Sequence, residues 1–228
     1  TLRNNFVYRN RQTGLFLGGY ASSGTGGSEG CVITGNTFSD NDTLKWGAGE
    51  VQLRYRTSNC VFTGNIFRGG AGGWLVSIPY SAAHNVNNRF DYNLHFAASP
   101  KWKWNNAQKT TFADWKTTSA QDAHSLFINP GFVAEGTSPD LHLRLDSPAI
   151  DAGDPAFTTA TGEKDVDAGR RVTGQRVDIG ADELAPIDAW RKQNFGANAM
   201  NPVIAGESAN PSGDGIRNLV KYKLGLNP

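Results

Sequence analysis

The stretch Gly49 to Phe67, GEVQLRYRTSNCVFTGNIF, holds two short strand-like runs with a polar break between them. In Val51-Gln52-Leu53-Arg54-Tyr55 the apolar residues alternate, and in Cys60-Val61-Phe62-Thr63 Cys60 and Phe62 do the same; a period of two belongs to a strand, not a helix. Arg56-Thr57-Ser58-Asn59 forms the break, and the second run passes into Gly64-Asn65-Ile66-Phe67. That second half has a gapless twin upstream, Cys31-Val32-Ile33-Thr34-Gly35-Asn36-Thr37-Phe38. Asn4-Asn5-Phe6 and Asn87-Asn88-Arg89-Phe90 read as weaker copies, so the phenylalanines are spaced by 32, 29 and 23 residues.

Self-similarity at this period is the mark of a solenoid, in which each unit buries its apolar face only by stacking on the next. An asparagine at a repeated corner tolerates left-handed backbone, and its amide can bond to the neighbouring coil. Stacked asparagines then form a ladder that satisfies the polar groups of the turn. The expected fold is all-β, a right-handed parallel β-helix with a short capping helix and a small helical C-terminal tail. Cys31 and Cys60, each five residues before its asparagine, are expected to stack inside it. In-register neighbours point the same way, which favours two buried free thiols over a disulfide.

The repeat resembles the pectate-lyase-like β-helix superfamily. From Asp91-Tyr92-Asn93-Leu94-His95-Phe96 through Ser147-Pro148-Ala149-Ile150-Asp151-Ala152-Gly153-Asp154 to Val177-Asp178-Ile179-Gly180-Ala181-Asp182-Glu183, the chain is similar to the choice-of-anchor Q region that closes many secreted bacterial β-helix proteins. The resemblance covers roughly residues 1 to 183. It implies a secreted or cell-surface bacterial protein that acts on or binds a plant or algal polysaccharide. It does not fix the chemistry, because this fold hosts lyases, hydrolases, esterases, epimerases and binding proteins.

The 228 residues suffice for one core and a small appendage. A net charge of +1 gives no electrostatic reason to expect nucleic acid or an anionic membrane as partner. No apolar run approaches a membrane span. The chain opens inside a coil and without a signal peptide, which suggests a mature or truncated product of a longer precursor. A monomer is expected.

By position the chain divides into coils (1–96), a helix-containing excursion and cap (97–183), and a small helical tail (184–228). The Ser- and Gly-rich loop from Ala21 to Gly30 reads as a flexible excursion. If Val51 and Leu53 face inward, Gln52, Arg54 and Arg56 face outward. The matching strip on neighbouring coils includes Phe16, Gly18, Tyr20, Ser77, Pro79 and Tyr80. Two arginines two residues apart suit the carboxylates of uronic acids, or sulfates. Tyr20, Tyr80 and Trp74 offer flat faces for sugar rings. Outward Arg and Gln on a strand are also ordinary solvated residues.

Residues 91 to 135 leave the repeat. Lys101-Trp102-Lys103-Trp104 reads as an exposed alternation, and Phe112 to Lys116 as the start of a helix capped by Thr110 or Thr111, with Phe112 and Trp115 on the solenoid. His124 reads as a turn residue. Residues 136 to 183 read as a cap that seals the open end. Its Asp165, Asp167, Asp178, Asp182 and Glu183 are interleaved with Arg170, Arg171 and Arg176, which favours ion-paired turns over the carboxylate pair of a glycosidase.

In the tail, Ile187 to Gly196 reads as a short helix ending at the glycine. Asn210-Pro211-Ser212-Gly213-Asp214-Gly215 and the residues after it are similar to dockerin-like or thrombospondin type 3-like calcium loops. Asn210, Ser212, Asp214 and Asn218 fill the first, third, fifth and ninth loop positions, and Gly215 the sixth. Lys221 stands at the twelfth, where a bidentate carboxylate belongs. One carboxylate and a cation make a weak calcium set.

Three functions remain open. As a lyase, the chain would use Arg54 and Arg56 to neutralise a uronate and Tyr80 or His84 to move the proton. A hydrolase has Glu50 and the Asp40/Asp42 pair as the nearby acids. The second reading is a non-catalytic carbohydrate-binding or surface module, the C-terminal part of a larger enzyme; the third is a structural stalk or adhesin end. The candidate catalytic residues are Arg54, Tyr80 and Glu50; the candidate sugar contacts are Tyr20, Gln52, Arg56, Trp74, Ser77 and His84.

Overall fold

A computed structural model of the chain describes residues 1–21 and 25–228. The centre of the Ala21 to Gly30 excursion therefore lies outside the described residues. Within its described part, Ser28–Glu29 form a strand on Thr57–Ser58, so this portion is a rung of the solenoid.

The expected parallel β-solenoid is what the chain forms. The first sheet stacks Leu2–Arg3, Val32–Thr34, Val61–Thr63 and Arg89–Asp91. A second stacks Phe6–Tyr8, Thr37–Ser39, Ile66–Arg68, Leu94–Phe96 and Leu126–Phe127. Leu15–Leu17, Val51–Leu53, Trp74–Ile78 and Lys101–Trp104 make the third, to which Ala107–Lys109 adds an antiparallel edge. The fourth is Ser28–Glu29, Thr57–Ser58 and Asn85–Val86. Its three α-helices among the described residues are α1 (Phe112–Ser119), α2 (Pro186–Phe195) and α3 (Asn218–Leu224). None is long and apolar enough to cross a membrane.

The register explains the repeat and corrects two of its copies. Phe67 pairs with Phe38 and the rings stack at 5.6 Å. Val7, not Phe6, lies beside Phe38, while Phe90 pairs with Phe62 at 4.2 Å between ring centres, nearly parallel. The corner residues are Asn4, Gly35, Gly64 and Tyr92, with φ of 57°, 60°, 65° and 53°. Left-handed backbone is free for glycine and tolerable for asparagine, but costs a tyrosine roughly 1–2 kcal/mol. The fourth copy is thus Tyr92-Asn93-Leu94-His95, and its two substitutions hide it from a search for Gly-Asn-x-Phe. Pairing runs on past Phe96 to give about four turns.

Each asparagine beside a corner donates from Nδ2 to Oδ1 of the next: Asn5 to Asn36 at 3.0 Å, Asn36 to Asn65 at 3.1 Å, Asn65 to Asn93 at 3.2 Å. The last amide donates to Asp122 Oδ1 at 3.0 Å. A ladder that passes donors in one direction needs only an acceptor at its end, and a carboxylate is an acceptor on both oxygens. A second ladder runs Asn10 to Asn41 to Glu50, and a third, exposed, runs Asn87 to Asn59 to Glu29. All three end on a carboxylate.

Asp122 is buried among Trp115 Nε1 at 2.8 Å, Ser125 Oγ at 2.6 Å and His95 Nε2 at 3.3 Å. Trp102 Nε1 donates to His95 Nδ1 at 3.3 Å, which leaves the His95 proton on Nε2, toward Asp122. Burial works to raise the Asp122 carboxyl, but His95 and the hydrogen bonds from His95, Ser125 and Asn93 outweigh it and hold it below its ordinary value. Helix α1 closes this end as expected. Thr111 Oγ1 accepts from Asp114 N–H at 3.1 Å, and Phe112 and Trp115 pack on Trp102. Cys31 and Cys60 sit on adjacent rungs as free thiols, with Cys60 fully buried.

Residues 131–184 do not seal the end; they cover a flank. Phe132–Ala134 and Asp140–Leu143 form an antiparallel pair, and Phe132, Leu141, Leu143, Ile150 and Ile179 pack with Ile66 and Leu94 from the second sheet. Gly180 N–H donates to Gly64 O at 2.8 Å and Ala181 N–H to Thr37 Oγ1 at 3.1 Å, across successive coils. The physical reason is legible in hindsight: the second sheet carries apolar side chains on both faces (Phe67 inward, Ile66 outward), and a strand apolar on both faces requires cover on both. Arg171 is buried against the same segment, donating to Glu183 Oε2 at 3.0 Å, Asp178 O at 3.0 Å and Gly180 O at 2.6 Å. Of the interleaved charges Arg171 and Glu183 form the expected ion pair, on the side of the solenoid, whereas Asp178 and Asp182 accept backbone N–H groups instead.

Candidate functional site

The outward residues of the third sheet lie in one register: Phe16 beside Gln52, Gln52 beside Ser77, Ser77 beside Lys103. Alternation puts Val51, Leu53, Val76 and Ile78 into the core, so Gln52 and Ser77 between them face out; an irregularity between Trp74 and Ser77 lets Leu75 join the core as well. Gln52 and Ser77 form a covered floor, joined by Gln52 Nε2 donating to Ser77 Oγ at 3.4 Å. Above it, Arg54 Nε donates to Gln52 Oε1 at 2.7 Å, and its guanidinium lies 4.9 Å from the Phe16 ring centre and 5.1 Å from that of Tyr20. A guanidinium held between rings keeps its charge while its stem and position are fixed.

The expected Arg54/Arg56 fork is not formed. The strand ends at Leu53, and Arg56 stands at a left-handed turn with φ 59°, which breaks the alternation. Arg56 lies over Tyr55 at 5.2 Å instead. Tyr55 is also 4.4 Å from His84 and 5.9 Å from Tyr80, so Arg56, Tyr80 and His84 form a second group around one ring. Trp74 anchors a third group, with Lys103 Nζ at 5.0 Å and Lys101 Nζ at 5.9 Å from its ring.

Lys101 and Lys103 are the residues a linear reading misses. Lys101-Trp102-Lys103-Trp104 is the fourth strand of this sheet, with Trp102 fully buried and the lysines outward. The alternation was visible; its alignment with Trp74-Leu75-Val76-Ser77-Ile78 was not, because the two share no residue pattern. None of the residues in the three groups is acidic. The face carries Arg54, Arg56, Lys101 and Lys103 among Phe16, Tyr20, Tyr55, Trp74 and Tyr80.

Glu50 is not part of it. It is fully buried, and its two oxygens accept Asn41 N–H at 3.1 and 3.2 Å and Asn41 Nδ2 at 2.6 Å. Burial holds its carboxyl well above the ordinary range. It terminates a ladder and has no open oxygen with which to reach a substrate. The other nearby acids are also engaged: Asp40 pairs with Arg68, and Asp42 Oδ2 accepts the backbone N–H groups of Gly47, Ala48 and Gly49. His124, outside the face, pairs with Asp91 at 2.8 Å.

The tail loop does not fit a calcium ion. The buried Lys221 ammonium donates to Ser212 Oγ and lies 3.0 Å from Asp214 Oδ2, so the loop already holds a cation. Asn218 turns away, its Nδ2 donating to Ile204 O at 2.8 Å and Gly206 O at 3.0 Å. Asn210 Oδ1 accepts from Ser212 Oγ at 3.3 Å.

Among known proteins, the chain is similar to the uncharacterized protein YwoF of Bacillus subtilis (strain 168), with 28% identity over 151 residues. The match covers 65% of this chain and 31% of that protein, so the chain spans about a third of its relative's length. No family profile and no solved structure matches.

Proposed function

We propose that this is a bacterial, secreted or cell-surface, carbohydrate-active β-helix protein that holds an acidic polysaccharide of plant or algal type along the outer face of its third sheet, as a monomer. The observation that carries this reading is the face itself, four cations interleaved with aromatic rings and no carboxylate among them. Uronate carboxylates or sulfates would meet Arg54, Arg56, Lys101 and Lys103, while sugar rings lie on Trp74, Tyr20 and Tyr80. Neighbouring strands lie about 4.8 Å apart, so the four rungs offer a shallow track for a linear chain rather than a pocket for one sugar.

A lyase reading is favoured over hydrolysis by the same residues. Elimination asks for a cation on the uronate carboxylate and a group that takes the neighbouring proton as the glycosidic C–O bond breaks and the leaving oxygen is protonated. Arg54 suits the first task, Tyr80 or His84 the second. Hydrolysis asks for two carboxylates, and Glu50 is spent inside the solenoid.

Affinity electrophoresis through gels containing polygalacturonate, alginate or a neutral glucan tests the binding. Retardation by the acidic polymers, weakened by salt and by Arg54→Ala and Lys103→Ala, is the expected result. Equal retardation by the neutral glucan, or none by any polymer, removes the reading. The ultraviolet absorbance of an unsaturated product during the same incubations separates a lyase from a binding module.

A further inference from the structure

On the covered flank, away from the third sheet, His142 stands among three carboxylates. Its Nδ1 is hydrogen-bonded to Asp140 Oδ1, and its Nε2 lies 3.1 Å from Asp167 Oδ2. A ring nitrogen of His142, a carboxylate oxygen of Asp167 and one of Asp182 all lie within 4.8 Å of one another. Strand Asp140–Leu143 sets His142 outward between the buried Leu141 and Leu143, and its ring is fixed by an edge-on contact with Phe6 at 5.3 Å.

Asp182 is the telling member. It is only 6% exposed, and among the described residues its side chain accepts one hydrogen bond, from Leu143 N–H to Oδ2 at 2.7 Å. Among the described residues no lysine or arginine pairs with Asp140, Asp167 or Asp182. This contrasts with Glu183 next door, which has Arg171. A buried carboxylate with no cation of its own is costly unless something supplies the charge. One imidazolium cannot offset three carboxylates. The group opens onto a cleft of about 330 Å³ lined also by Asp165, Arg170, Thr173 and Pro186.

We propose that His142, Asp167 and Asp182 bind one divalent transition-metal ion. The donors are one imidazole nitrogen and two carboxylate oxygens, a set that suits zinc or manganese. Zinc bonds of about 2.0–2.2 Å place tetrahedral donors about 3.4 Å apart. The Nε2 to Asp167 spacing already matches, and closing the rest from 4.8 Å is within the reach of the exposed Asp167 side chain. Asp140 holds the ring from behind, as carboxylates commonly do for metal-binding histidines, and directs the Nε2 lone pair forward. Three protein ligands leave a position open toward the cleft for water or an anionic group. The ion would tie the Asp140–Leu143 strand to the loops of Asp167 and Asp182.

The test is calorimetric titration of the full chain, stripped with chelator, using zinc chloride and manganese chloride. The expected result is one ion per chain. Asp140→Asn weakens it by about 10–100-fold, and His142→Ala and Asp182→Asn abolish it. His124→Ala, which removes the other histidine–carboxylate pair exposed to solvent, leaves it unchanged. The cobalt(II) spectrum of the native chain gives a second readout that does not depend on the variants folding. Visible bands of a nitrogen–oxygen site without thiolate charge transfer support the assignment. A thiolate band puts the ion at Cys31 and Cys60 and overturns it, as does equal loss in His124→Ala or the absence of saturable binding in the native chain.

Discussion

Along the coils a residue's partner is its own kind one turn away: Asn36 bonds Asn65, Phe62 lies on Phe90, Val51 sits beside Val76. In residues 131–184 the partners are unlike and far apart in sequence. Arg171 meets Glu183 and the carbonyls of Asp178 and Gly180, Gly180 N–H meets Gly64 O, and Asn4 Nδ2 donates to Lys164 O at 2.7 Å. Stacked repeats gain stability by translation, so one satisfied rung satisfies the next. The flank has no translation to use; it relies on a few buried charges and borrowed backbone groups. Failure should therefore look different in the two regions, shared along the coils and concentrated at single residues on the flank.

The largest expected effect is on the flank. Arg171→Met removes the donor to Glu183 Oε2 and to the backbone carbonyls of Asp178 and Gly180 and should cost about 3–5 kcal/mol. Limited proteolysis should then cut within residues 131–184 while the coils persist. If coils and flank are lost together in one transition, the two regions are not separable and the contrast is wrong. Next comes Asn65→Ala, which orphans the buried Asn36 backbone N–H and removes the amide that donates to Ile33 O and Thr63 O, and should cost about 2–4 kcal/mol in urea denaturation. Asn5→Ala, at the half-buried start of the ladder, should cost less than half of that. Equal costs would show that the ladder is no cooperative stack.

Titration sharpens the comparison further. Burial raises Glu50 in the coils, and on the flank burial, together with Asp178 beside it, pushes Glu183 up to about 8, with Asp178 itself raised to about 6. A carboxyl raised by folding binds its proton more tightly in the folded state. Its contribution is therefore complete below the ordinary value of about 4 and is lost as pH rises through the folded one. Asp122 has the opposite sign: lowered by folding, it stabilises above about pH 4 and loses that contribution as pH falls through its folded value. Thermal melting should peak near pH 4 to 5 and decline toward pH 8, with Glu50→Gln removing the coil share of the decline. A melting temperature that rises from pH 5 to 8 would contradict the assigned shifts.

The smallest effect belongs to the tail. Lys221→Glu replaces the internal cation by the carboxylate that a calcium loop requires at its twelfth position. Without calcium it removes the ammonium shared by Ser212 and Asp214 and should lower the melting temperature slightly. Millimolar calcium should restore the melting temperature of the variant and leave that of the native chain unmoved. A native chain that responds to calcium would mean that Lys221 yields its place.

By itself the sequence determined the solenoid and the register of its gapless repeat, Val32 to Phe38 on Val61 to Phe67. Gly35-Asn36 and Gly64-Asn65 announce a left-handed corner and a ladder, two local requirements met by residues adjacent in the chain. Strand alternation likewise puts Gln52 and Ser77 on one outer face. Only the tertiary structure decided what lies beside what at a distance. It showed Tyr92-Asn93-Leu94-His95 to be a rung, the fourth strand of the cationic face to be Lys101–Trp104, Glu50 to be a ladder's end, and residues 131–184 to lie on a flank. The physical reason is that a corner or a strand is fixed by backbone torsion and alternation within a few residues, whereas burial, charge pairing and the covering of an apolar face depend on which surfaces meet when the chain closes on itself.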